Sequence, residues 1–249
     1  MTTRAEFLAG IRERVRRAPA RFQASPTRRP AHPSAEAETI RHELAERWPE
    51  TLEAFRREFE AVAGVFHRVA SIDLVPAVVS QIAREREARE LVTWHPTALG
   101  ADLAPALGAR GIDVHPMPAA DPADTAERRR LREVAARADL GLTGVDLAIA
   151  ETGTLVLVSG AGRPRSTSLL PPCHIAVFDR TALIESLRQV GVFLEAWHGD
   201  GRPPAGGASI NFITGPSRTA DIERVLTIGV HGPRKLVIVL VDDAAEARA

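Results

Sequence analysis

The sequence predicts an α/β domain built on a mostly parallel sheet, preceded by a helical arm. Three observations carry this. From Gly64 to Ala138 short apolar runs alternate with helical patterns, the signature of parallel strands joined by crossover helices. Lys235 to Asp242, KLVIVLVD, is a near-continuous apolar run of the kind buried on both faces of a parallel sheet. Between them, Leu147 to Ile149, Leu155 to Val158 and Ile175 to Phe178 are three apolar runs separated by Thr-Gly and Gly/Pro/Ser punctuation, which predicts strand, tight turn, strand, loop, strand.

Taken in order, residues 3–17 form a short amphipathic helix, with Thr3 as its cap and Phe7, Leu8, Ile11 and Val15 at helical spacing. Its other face carries Arg12, Arg14, Arg16 and Arg17, the pattern of a solvated basic face. Residues 18–35 are rich in Pro, Ser, Arg and Ala without periodicity and predict a linker. From Glu36 to Ala63 two helices are expected to meet near Pro49, with Ile40, Leu44, Trp48, Leu52, Phe55, Phe59 and Val62 as their apolar stripe. This divides the chain into an arm over 1–63 and an α/β domain over 64–245.

Within that domain, strands are expected at Gly64 to Val69, Glu90 to Trp94 and Ile112 to His115, with helices at Ile72 to Glu87 and Pro96 to Leu107. Asp121 and Pro122 predict a helix start, with Leu131, Val134, Ala135 and Ala138 facing the core. After the central hairpin come a helix at Thr181 to Gln189, a Gly/Pro loop at Gly199 to Gly207, a strand at Ala208 to Ile213, and a helix opening at Ser217.

Composition narrows the function. The 32 basic and 32 acidic residues cancel, which argues against a protein that coats nucleic acid. One cysteine, Cys173, excludes an internal disulfide and any cysteine-rich zinc or iron–sulfur site made by this chain alone, and points to a reducing compartment. There is no apolar run long enough to span a membrane and no signal-peptide core, so a cytoplasmic location without membrane insertion is expected. The eight histidines show no His-x-x-x-His or His-Glu-x-x-His spacing, and no metal site is predicted.

Several residues invite a chemical role. Glu151 sits in a turn between two apolar strands, where a carboxylate must be hydrogen-bonded, paired or protonated. Arg163 and Arg165 lie in a Gly/Ser loop that suits an anion and equally describes a surface turn. Ser217, Arg218 and Thr219 would place a hydroxyl, a guanidinium and free N–H groups at a helix start, which is either an anion site or an ordinary capped helix. A Gly-Pro turn presents His231 and Arg234 together, His231 as an acid/base candidate or a structural loop histidine. Cys173 and His174 are adjacent in a strand and point to opposite faces, so they do not form a nucleophile–base pair. P-loop, Rossmann and Gly-x-Ser-x-Gly patterns are absent.

Four stretches in one order resemble the LUD-domain family: Ala150-Glu151-Thr152-Gly153-Thr154-Leu155, Leu169 to Ile175 (LLPPCHI), Ile213 to Ile222 (ITGPSRTADI) and Gly229 to Arg234 (GVHGPR). The resemblance covers mainly residues 140–242. It implies a three-layer α/β sandwich similar to the NagB/RpiA/CoA-transferase group, with an N-terminal helical extension. It also implies lactate utilisation: a cofactor-free subunit that binds a small anion or organises a complex in which iron–sulfur and Cys-rich partner subunits oxidise L-lactate to pyruvate. The same fold group implies an alternative, a stand-alone enzyme acting on a CoA-linked or sugar-phosphate substrate through Glu151. Fold analogy does not choose between them, and whether the chain is itself an enzyme stays open.

Overall fold

The computed structural model describes residues 30–198, 209–220 and 226–243, with single positions between 3 and 13. Two compact units divide after Ala31. In the first, Arg4, Glu6, Leu8, Ala9 and Glu13 are helical. Thr3 caps them as expected: the Glu6 amide donates to the Thr3 hydroxyl (3.3 Å), while the Thr3 amide donates to the Glu6 carboxylate (2.7 Å). The Gly199 to Gly207 loop and positions 221–223 lie outside the described residues.

The second unit begins with a single helix, α1 (Pro33–Ala61). The break expected at Pro49 does not occur, and the helix runs through the proline. Proline removes one backbone bond at a cost of about 3 kcal/mol. Packing on both sides of it outweighs that cost. Ala37, Ile40 and Leu44 join one buried cluster, while Leu52, Phe55 and Phe59 join the main core. Phe55 stacks on Phe59 (5.6 Å between centroids) and meets Phe178 edge-on (5.8 Å).

The chain continues through β1 (Val65–Val69), α2 (Val75–Glu85), β2 (Glu90–Thr93), α3 (Pro96–Leu99), α4 (Ala104–Gly108), β3 (Asp113–Pro116), α5 (Thr125–Arg137) and β4 (Leu140–Thr143). The single helix expected from Pro96 to Leu107 is two, because Gly100 turns left-handed (φ 77°) after α3. Asp124, not Asp121, caps α5, its carboxylate accepting from the Ala126 amide at 3.1 Å. β5 (Leu147–Ile149), β6 (Thr154–Ser159), α6 (Arg165–Leu169) and β7 (Cys173–Asp179) follow, then β8 (Leu183–Ile184), α7 (Leu187–Trp197), β9 (Ser209–Ile213), β10 (Arg218–Ala220), β11 (Leu226–Ile228) and β12 (Lys235–Val241).

The helix expected at Thr181 to Gln189 is displaced. Leu183 and Ile184 instead form β8, pairing in parallel with Ala148 and Ile149, and this buries both side chains. The helix starts only after Ser186, where Ser186 and Gln189 make a reciprocal capping box.

Six parallel strands make the central sheet in the order β1-β12-β7-β4-β2-β3. Its helices cover both faces: along β2, Leu91 packs with Val79, Ile82 and Leu107 in one cluster, and the neighbouring Val92 packs with Ala135 and Ala138 in another. A smaller mixed sheet, β8-β5-β6-β9, turns Leu155 and Leu157 toward the main core and Leu147, Ile149 and Val156 toward α1 and α7. The three central runs are buried throughout β5 and β6 and at all but the last residue of β7, as their apolarity predicts. From β2 the chain moves outward to β3, and from β4 it moves the opposite way to β7. The C-terminal ends of β2 and β4 therefore flank a topological switch point, where open parallel sheets leave a crevice.

Candidate functional site

The candidate residues fall at opposite edges of the central sheet. Arg163 and Arg165 lie at the C-terminal edge, over the switch point. The tight turn Gly160–Arg163 closes with two backbone bonds (3.2 and 2.9 Å) and docks on β2 through a His95 amide to Gly162 carbonyl bond of 2.9 Å. Gly162 has φ 73°, and a Cβ there would stand 3.1 Å from that of His95, so glycine suits this left-handed, close approach best. Arg163 then turns inward. Its Nη1 donates to Asp146 Oδ1 (2.7 Å), its guanidinium lies 5.5 Å from the centre of the Trp94 ring, and Asp146 Oδ2 accepts the Val158 amide (2.7 Å). Arg163 is thus occupied by the protein itself, whereas Arg165, first residue of α6, is exposed.

Ser217, His231 and Arg234 come together at the other edge, where β7 and β12 begin. The Ser217 hydroxyl accepts the His231 amide (3.3 Å), the Ser217 amide donates to Pro233 (2.9 Å), and the Arg234 amide donates to Pro172 (2.9 Å). The helix start expected at Ser217, Arg218 and Thr219 is corrected by the structure: Arg218–Ala220 is a strand, with Arg218 opposite Ile228 and Thr219 opposite Thr227. Hairpin pairing takes up the backbone that a helix start would have left free. The Arg218 guanidinium donates to the Val62 carbonyl at the end of α1.

Glu151 lies near that same end of α1. The turn at Gly153 packs so tightly that a Cβ would meet the Phe59 amide at 2.4 Å. Hydroxyls of Thr152, Thr154 and Thr214 form a chain of 2.7 Å bonds that ties this turn to the Thr214-Gly215 turn. Two of the four motif stretches thereby meet, a convergence that spacing alone does not reveal. The Glu151 carboxylate accepts the Leu187 amide (2.9 Å) at the first turn of α7, where a negative charge also complements the helix dipole. It lines a cavity of about 340 Å³ with Arg47, Arg57, Glu58 and Glu185. Among the described residues it pairs with none of Arg163, Arg165, Arg218 or His231.

Two interior groups are neutral for the same reason. Burial pushes the Cys173 thiol up to about 11 and the His174 imidazole down to about 3. His174 Nε2 stands 2.8 Å from the Thr143 hydroxyl, and its Nδ1 has no partner among the described residues. The thiol and the imidazole occupy opposite faces of β7 as expected, since Cys173 pairs with Leu140 and His174 with Gly141 in the alternating register.

Sequence reasoning missed Trp94, Asp146 and a third group, Arg128 and Arg132 on α5. With Met117 after β3, Gly162 in the turn, and Pro164 and Ser166 beyond it, these two arginines line a cavity of about 310 Å³ at the C-terminal edge. The i, i+4 spacing of Arg128 and Arg132 was visible as a shared helix face, but nothing local showed what that face would meet.

A family model described as LUD domain matches residues 52–241. Lactate utilization protein C of Halalkalibacterium halodurans is 37% identical over 175 residues, covering 69% of this chain and 71% of the relative. The protein of the same name from Shouchella clausii is 42% identical over 120 residues, 48% of this chain and about half of that relative (51%). A crystal structure of a DUF162 family protein from Deinococcus radiodurans is similar at TM-score 0.53 and 27% identity, covering 78% of this chain and 98% of that one. With the family match spanning most of the chain and the four motif stretches within it, this chain belongs to the LUD domain family.

Proposed function

We propose that this chain serves lactate utilisation as a cluster-free cytoplasmic subunit that works beside an iron–sulfur subunit and a Cys-rich subunit in oxidising L-lactate. The observation that carries this reading is the 37% identity, over 69% of the chain, to a relative named lactate utilization protein C. Cysteine content is consistent with it: Cys173, the one thiol of this sequence, is buried in β7 and kept protonated, which does not suit a cluster ligand. No described helix is long and apolar enough to cross a membrane. A small-anion site on the subunit is part of the proposal, held either by Arg165 at the C-terminal edge or by Arg234 at the opposite edge, the sequence-predicted arginines whose guanidinium groups have no partner among the described residues.

The test is co-purification with the two partner subunits and an L-lactate oxidation assay with and without this chain. Reduced turnover on omission, restored by adding the chain back, is expected. Unchanged turnover overturns the reading.

A further inference from the structure

The cavity at the C-terminal edge combines features that no other described cavity shares. Its walls are apolar and stiff: Pro118, Pro122 and Pro164, with Met117 and Leu131 between them. Methionine adapts its shape to a flat ring and offers a polarizable sulfur to it. Its polar groups are few and of complementary kinds, namely the Arg128 and Arg132 guanidinium groups, the Ser166 hydroxyl and the Asp121 carboxylate. This is the composition of a small-molecule site, mostly apolar with a few polar groups that fix orientation. It also lies at the C-terminal edge of the parallel sheet, beside the switch point, since its Gly162 wall is bonded to His95 just after β2.

The polar groups are available. Arg128 spends only its Nε, on the Pro122 carbonyl (2.6 Å), and Arg132 has no partner among the described residues. The larger cavity of about 590 Å³ at the opposite edge also carries arginines, Arg84, Arg89 and Arg110, but its lining holds no proline, methionine or aromatic wall for a flat ring. Two guanidiniums one helical turn apart and a hydroxyl offer more donors than a carboxylate can accept, and they match the three terminal oxygens of a phosphate. Asp121 would repel a bare anion but accepts hydrogen bonds from a vicinal diol. At about 310 Å³ the space also exceeds what a three-carbon acid fills.

We propose that this cavity is a binding site for a nucleoside 5′-phosphate, with the base against Met117 and the prolines, the ribose hydroxyls on Asp121, and the phosphate on Arg128, Arg132 and Ser166. The site stands on the cavity alone and is independent of the role in lactate oxidation.

Calorimetry on the full chain with AMP, GMP, adenosine and inorganic phosphate tests it. A nucleotide should bind saturably, and adenosine and phosphate each at least ten-fold more weakly. Arg128→Ala and Arg132→Ala should each weaken nucleotide binding about ten-fold or more, the scale of a lost charge-assisted bond. Asp121→Asn should weaken nucleotide binding, which loses the acceptor for the ribose hydroxyls, and should tighten the weak binding of bare phosphate, which loses a repelling charge. All three side chains are exposed, so thermal melting should show the variants folded like the parent. Absence of saturable binding of AMP and GMP up to about 1 mM overturns the proposal. So does phosphate binding as tight as that of either nucleotide, or unchanged nucleotide affinity in the Arg128/Arg132 double variant.

Discussion

Arg163 and Asp146 form one ion pair, 2.7 Å between Nη1 and Oδ1, with only 17% and 15% of their side chains exposed. The pair holds the Gly160–Arg163 turn against Trp94 and fixes the Val158 amide of β6 through the second carboxylate oxygen. Removing one partner of a largely buried pair leaves the other charged and unpaired. Asp146→Ala should therefore cost about 3 kcal/mol in urea unfolding, well above the 1 kcal/mol or less of a surface pair. Asp146→Asn, which can still accept the Val158 amide, should cost less. A loss under about 1 kcal/mol for Asp146→Ala would show that the turn is held by its backbone bonds instead.

His174 gives the fold an acid-sensitive element. Its imidazole is fully buried with a pKa near 3, against about 6.5 in the unfolded chain. Between those values the unfolded state binds a proton that the folded state refuses, so stability rises with pH. The contribution is complete above about pH 6.5 and falls by roughly 1.4 kcal/mol per unit as the solution is acidified below that. His174→Gln does not titrate, so its stability relative to the parent should improve at that rate from pH 6 toward 4.5. Parallel stability curves for the two proteins would refute this.

Gly153 lies at φ 59° with α1 directly against it. Gly153→Ala combines left-handed strain with a backbone clash at 2.4 Å, and should cost about 2–4 kcal/mol. Gly108, where an added Cβ meets nothing within 4 Å and φ is not left-handed, is the matched control. Gly108→Ala should be neutral or slightly stabilising by thermal melting.

Cys173 should be inert in the native protein. Burial and a thiol pushed up to about 11 leave almost no thiolate at neutral pH. Native protein should react with a thiol reagent only at the rate of unfolding, and mild denaturant should accelerate the reaction. Rapid stoichiometric labelling without denaturant would contradict the buried placement.

What the sequence determined by itself was mainly local. Unbroken apolar runs such as Leu155 to Val158 and Leu236 to Val241 cannot stay in water, so their strands and burial were legible before any partner was known. The family was legible as well, from four stretches in one order. Tertiary structure decided whatever depended on partners distant in sequence. Pro49 remains helical because Leu44 and Leu52 are both buried by elements elsewhere in the chain. Leu183 and Ile184 became a strand because Ala148 and Ile149 offered an open edge, and Arg218 did so because Ile228 lay opposite it. Arg163 was claimed by Asp146, while Arg128 and Arg132 were left facing a cavity whose other walls come from residues 117 to 122 and 162 to 166. The physical reason is the same in each case: a side chain's periodicity is set by its neighbours in sequence, but whether its charge or backbone is free to meet a ligand is set by what packs against it.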